Sequence, residues 1–374
     1  MDGEDFPQGC WLILSNAFLA YVFLISVPLL AVAPLLPMIM KDLNLSHVEG
    51  GFLFSIPMLM IALFAILGGI LNDRIGSRAA VALGGLLVVI GSALRGAAST
   101  FVVLALLTVL YGIGRAIVYP GPPKLIVAWF PSKFLGTATS VYGLGFFLGS
   151  TVATALTGTV ILRLTGSWQA ALLSWGAVSL IVWIIWLLTV RNAPYTGMPH
   201  KESHSLESLR TLAGHRSIWL VASIWLLINL FYYVVVGWFP TALPRVAGVG
   251  PEEAGYITSL FPFLSMPGMF VLALCSDRLG LRKPFIVGIA PILALLAFAI
   301  PYSSQALLWP LLALLGFVYG YAVSWIYLMP IELVREERVG SAAGLLVSIG
   351  YMGGLIGPPL VGYLIDITGN FSYA

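Results

Sequence analysis

Arg115 stands in the middle of an unbroken apolar stretch, with Tyr111 and Tyr119 four residues to either side. On a helix that spacing stacks one cation between two aromatic hydroxyls on a single face. A guanidinium is a planar fork of five N–H donors that keeps its charge, so its best partner is a carboxylate or another oxyanion. No Asp or Glu lies in the core of any apolar stretch; Glu49, Glu253, Glu332 and Asp366 all fall at segment ends. An anionic solute is therefore the expected partner of Arg115. The competing reading is a structural arginine bonded to backbone carbonyls freed by Pro120, Pro122 and Pro123.

The elements that must carry this residue follow from composition. With 60% hydrophobic and 9% charged residues and a mean hydropathy of +1.00, the chain has too little polar surface to cover a water-soluble fold. An all-α membrane protein is expected, because in hydrocarbon only helices or closed barrels satisfy every backbone group internally. Apolar segments run near 11–40, 48–71, 79–98, 101–130, 135–162 and 168–190, then near 216–243, 254–275, 284–302, 305–334 and 340–365. Each supplies the ~20 residues that a helix needs to cross a bilayer, so eleven spans are expected. The domain reading is an N-terminal six-helix half over 11–190, a polar linker over 191–215 and a C-terminal half of five helices over 216–374. Thr368-Gly369-Asn370-Phe371 matches the stretch ahead of the sixth segment, which marks the place where a twelfth helix would begin.

Cys10 and Cys275 suggest no disulfide, and no metal-ligand set appears. His200 and His204 in the polar linker read as a solvated pair. No cofactor, catalytic set or nucleic-acid partner is expected.

GGILNDRIGSR from Gly68 to Arg78 returns as ALCSDRLGLRK from Ala273 to Lys283, at an offset of 204 positions. The same shift takes Glu49 to Glu253, Gly136 to Gly340 and Gly149 to Gly353, so the chain reads as a duplicated unit. With the tail inside, 13 of the 18 Lys and Arg residues fall on the inner side; Lys41, Arg95, Arg163 and Arg245 fall outside, and Arg115 lies mid-helix. That bias predicts a cytoplasmic N-terminus in a multi-pass protein of the cell membrane.

Gly69, Asp73, Arg74 and Gly76, with Ser77 and Arg78 after them, resemble the G-x-x-x-D-R-x-G-R-[RK] signature of the major facilitator superfamily of secondary transporters. Ala128-Trp129-Phe130-Pro131 followed by Gly136-Thr137-Ala138 is similar to that family's loop between helices four and five, and nearly the whole chain is covered. A weaker resemblance, through Pro120-Gly121-Pro122-Pro123-Lys124, is to the cyanate-permease and small-anion group. The resemblance implies a two-half helical bundle. It also implies that Asp73, Arg74 and Gly76, with Asp277, Arg278 and Gly280, form gating loops. Asp73 would face the start of helix eleven near Gly340 and Ser341, and Asp277 the start of helix five near Gly136 and Thr137. The usual helix-four arginine of the family aligns with Thr108, so its role does not transfer to Arg115.

The substrate site is implied near the midplane, on helices one, four, seven and ten. Asn229 and Tyr233 on helix seven, and Tyr319 and Trp325 on helix ten, are the softer candidates beside Arg115, Tyr111 and Tyr119; aromatic residues so spaced also serve as packing. Lys124 is a second cation near the inner mouth, either an exit-path charge or a loop anchor. The expected function is alternating-access transport of a small anion, with a proton as the candidate coupling ion. The alternatives are a proton-linked exporter of amphipathic compounds and a non-transporting sensor or scaffold.

Overall fold

The computed structural model describes residues 9–191, 214–280, 282–333 and 339–371, with side chains at 132, 282–286 and 324–344 outside the description. Eleven helices carry it, and no strand occurs among the described residues. They are α1 Cys10–Leu43, α2 His47–Ile75, α3 Ser77–Ala97, α4 Phe101–Trp129, α5 Leu135–Thr165, α6 Trp168–Thr189, α7 Arg216–Val246 and α8 Pro251–Leu279. The last three are α9 Arg282–Ala299, α10 Gln305–Leu333 and α11 Val339–Thr368. Ten are long and apolar enough to cross a membrane, against the eleven expected from the sequence. The difference is α9, whose described apolar part, Val287–Tyr302, is shorter. Most of the 191–215 linker, with His200 and His204, lies outside the described residues.

The 204-residue offset survives in three dimensions: α2 and α8 begin at His47 and Pro251 and end at Ile75 and Leu279, and α4 and α10 begin at Phe101 and Gln305. Packing repeats with it, since α2 lies on α4 as α8 lies on α10, and α1 on α5 as α7 on α11. The two sets then meet crosswise, α2 against α11 and α5 against α8. At the first crossing a Cβ on Gly51 would sit 2.5 Å from the Pro358 carbonyl oxygen; at the second a Cβ on Gly255 would sit 2.9 Å from that of Thr154. Both pairs are related by the same offset, so the chain places a missing side chain wherever the two backbones must touch.

Polar atoms in the bundle are spent on tying helices together. On α6, Trp183 Nε1 donates to the Ala82 carbonyl at 2.7 Å and Trp186 Nε1 to that of Arg78 at 3.2 Å, while Ser179 Oγ reaches the Phe23 carbonyl at 2.8 Å. Such bonds contribute about 0.6 to 2 kcal/mol each in a membrane bundle. Helix α1 is interrupted by a π-helical turn at Tyr21–Ser26, just before Pro28. Its irregular carbonyls become acceptors for neighbouring helices.

Gly76 and Gly280 end α2 and α8 with φ of 82° and 65°, where a side chain would strain the backbone. These two turns, with the start of α1, lie on one face of the bundle, called the signature face below. The opposite, far face carries the α1–α2, α5–α6 and α7–α8 connections.

Candidate substrate site

Arg115 lies in the fully helical part of α4, Phe101–Val118, ahead of the kink that Pro120 imposes. It is completely buried. Its Nη1 rests 3.7 Å from Met58 Sδ, a weak acceptor, while Nε and Nη2 have no hydrogen-bond partner. No backbone carbonyl freed by the α4 prolines reaches it, which removes the structural-arginine reading in the form that the sequence suggested. The ionisable groups that act on the guanidinium are the phenols of Tyr233, Tyr111 and Tyr351, with Tyr233 acting most strongly. No hydrogen bond of normal geometry joins it to any of them. Ion pairs at His47–Asp366, Lys124–Asp73 and Arg163–Glu252 lie elsewhere.

Four helices converge here. Met58 comes from α2, Tyr233 from α7 and Tyr351 from α11; a Cβ at Gly354 would meet both Tyr233 and Met58, and Ser55 Oγ donates to the Gly354 carbonyl at 3.3 Å. A cation held by both sets of helices in apolar surroundings, with two nitrogens unsatisfied, is suited to receive a bidentate anion. Ser150 of α5 and Tyr232 of α7 face each other close by, and their buried hydroxyls also lack a bond of normal geometry.

Tyr111 is buried, donates to the Ile25 carbonyl at 2.7 Å and lies under Arg95, whose Cζ is 4.8 Å from the ring centroid. Arg95, counted from sequence among the outer charges, is in fact buried, with Nη2 donating to the Pro28 carbonyl at 2.5 Å. It is a structural arginine that binds the interrupted part of α1. Tyr119 stands one turn beyond Arg115, its N–H donating to the Arg115 carbonyl at 2.9 Å, just before the kink at Pro120. Its ring stands 5.8 Å from Tyr21 and 6.0 Å from Tyr351, in a tyrosine cluster on the signature side. Asn229 turns back to donate to the Trp225 carbonyl of its own helix at 3.0 Å. The Tyr319 ring packs 4.9 Å from Phe261 and 5.6 Å from Tyr232. The Trp325 side chain lies outside the described residues.

On the signature face Lys124 Nζ donates to Asp73 Oδ1 at 2.5 Å and to the Gly69 carbonyl at 3.1 Å, so Lys124 ties α4 to α2. Arg74 closes the last turn of α2 and Arg278 that of α8, where the Gly280 N–H donates to the Asp277 carbonyl at 3.2 Å. The side chains of Gly340 and Ser341, expected near Asp73, lie outside the description. At Gly136, expected near Asp277, an added Cβ would meet no atom within 4 Å, and Thr137 is exposed.

Sequence reasoning missed Met58, Tyr351, Ser150 and Tyr232. Tyr351 carries a readable signal, a tyrosine deep within a glycine-rich apolar segment, but attention to helices one, four, seven and ten excluded it. Met58 carries none.

The chain matches the family model described as Major Facilitator Superfamily over residues 14–369. It is 26% identical to the uncharacterized transporter YycB of Bacillus subtilis (strain 168), over 98% of this chain and 89% of that protein. It is 25% identical to the hexuronate transporter of the same organism, over 90% and 84%. In structure it resembles a bacterial homologue of the human lysosomal transporter Spinster in an inward-facing, unoccupied conformation. The TM-score is 0.82 at 19% identity, covering 96% of this chain and 83% of that one.

Proposed function

The chain belongs to the major facilitator superfamily of secondary transporters, and from that premise we propose that it carries a small organic anion across the cell membrane with Arg115 as its anion-binding residue. The observation that supports this most is the buried guanidinium with two unpartnered nitrogens at the junction of α2, α4, α7 and α11. A resident positive charge in hydrocarbon is costly, and the anion that neutralises it gains charge-assisted bonds of about 1.5–3 kcal/mol each. The relative named as a hexuronate transporter handles a carboxylate that also bears hydroxyls. Ser150 and Tyr232, with open hydrogen-bonding capacity, suit such hydroxyls.

The excess of Lys and Arg supports a cytoplasmic signature face. With that orientation, the close crossings at Gly51 and Gly255 and the lack of neighbours at Gly136 support an inward-facing reading. In the outward-facing state Asp73 and Asp277 would close the signature face against the starts of α11 and α5, drawing Asp73 away from Lys124. Arg74, Gly76, Arg278 and Gly280 shape those turns. Asn229 and Tyr233 line the route on α7, and Tyr319 supports them from α10.

A ligand-stabilisation screen on purified protein tests the reading. Glucuronate or galacturonate should raise the melting temperature, and the corresponding neutral hexoses should not. Stabilisation by cationic amphiphiles and by no carboxylate would overturn it.

A further inference from the structure

Among the described residues, two polar contacts join the halves at the far face, one at each crossing. At the α2–α11 crossing Asp366 Oδ1 accepts from the His47 backbone N–H at 3.1 Å and lies 2.6 Å from His47 Nδ1, while Oδ2 accepts from the Val48 N–H at 3.1 Å. At the α5–α8 crossing Arg163 Nε donates to Glu252 Oε1 at 2.6 Å, and Nη2 donates to Oε2. The offset of 204 carries Val48 onto Glu252 and Arg163 onto Ile367, beside Asp366, so the two contacts are pseudo-symmetric but not chemically alike. The Arg163–Glu252 pair contains no histidine. The other contains histidine, the side chain whose ordinary titration falls between pH 5 and 8.

We propose that His47 and Asp366 form a proton-binding site through which pH at the far face controls its opening. In the closed state the imidazole lies directly against a carboxylate that already caps α2 through two backbone N–H groups. When α2 and α11 part, His47 faces water and loses that partner. The charge-assisted contact that a protonated imidazole makes with Asp366 exists only while α2 and α11 meet, so by linkage proton binding favours closure. The remaining groups here do not duplicate this chemistry. Trp238 and Phe371 pack on the imidazole at ring distances of 6.0 and 5.5 Å. Arg245 lies over the Phe371 ring, and Glu49 is bonded to Ser46. Asp42, at the end of α1 next to exposed Lys41, accepts from Trp168 Nε1. The proposal does not depend on which solute is carried.

The test is a distance measurement across the far face on full-length protein in liposomes, with spin labels replacing exposed Lys41 on α1 and Ile367 on α11. In the wild type the closed-to-open ratio should fall about three- to five-fold between pH 5.5 and 8.0, the size expected for an ion pair whose side chains are 25% and 28% exposed. His47→Asn keeps a neutral donor near the position of Nδ1 and should abolish the pH dependence. Arg163→Gln should lower the ratio at both pH values and leave the dependence intact, which separates loss of a latch from loss of the proton site. A wild-type ratio that does not change with pH, or a His47→Asn protein that keeps the wild-type slope, would overturn the proposal.

Discussion

Replacing Arg115 with methionine should make the substrate-free protein more stable while removing its affinity for anions. Methionine has a comparable length and no polar atoms, and it would pack beside Met58 where the guanidinium now lies. The two unpartnered nitrogens, Nε and Nη2, each carry a desolvation cost of about 1–3 kcal/mol, and the unpaired charge adds to it. Substituting apolar groups for buried charges is neutral or stabilising by about 1–4 kcal/mol, which corresponds to a melting temperature roughly 2–6 °C higher. Binding moves the opposite way. Two lost charge-assisted bonds amount to about 3–6 kcal/mol, a hundredfold or more in Kd. Arg115→Lys keeps the charge without the fork and should fall between. Melting without ligand and titration with glucuronate on wild type and both variants decide the matter. If Arg115→Met melts several degrees lower and binds glucuronate as the wild type does, Arg115 is structural and the reasoning fails.

Arg95 provides the contrast: Arg95→Met loses the bond to Pro28 and the stacking on Tyr111, so its ligand-free melting temperature should drop, by the equivalent of about 2–4 kcal/mol. Asp73→Asn and Lys124→Ala should slow uptake at least tenfold while changing glucuronate Kd less than threefold, because they act on the conformational equilibrium; proportional losses in both measurements would contradict this. Gly51→Ala places a methyl group 2.5 Å from the Pro358 carbonyl and should push α2 from α11, seen as faster labelling of a cysteine introduced at Ser55, one turn on from Gly51 and bonded to the Gly354 carbonyl of α11. Labelling at the wild-type rate would show that the crossing has slack.

Helix positions were legible because a bilayer leaves few options. Long apolar runs separated by charged or glycine-containing turns must be helices, and a 204-residue repeat fixes their pairing. Arg115 was legible for the same reason, since a mid-span cation without a carboxylate has few explanations. Arg95 was misjudged because a charge at a segment end looks solvated; it is buried against the Pro28 carbonyl of α1, a tertiary partner that no local pattern announces. Tyr119 keeps its helical step from Arg115, while its ring contacts with Tyr21 and Tyr351 come from helices whose docking no local pattern gives. The convergence of Met58, Tyr233 and Tyr351 required the crosswise docking of the halves, and the crossing glycines show where that occurs only once the partner helices are known.

The central claim is that the carried solute is an anion recognised by Arg115, and uptake into proteoliposomes tests it most directly. Labelled glucuronate and glucose, which differ chiefly by a carboxylate, should separate completely: saturable uptake of glucuronate by the wild type, none by Arg115→Gln, and no glucose uptake by either. Equal uptake of glucose and glucuronate by the wild type, or undiminished glucuronate uptake by Arg115→Gln, would contradict the claim.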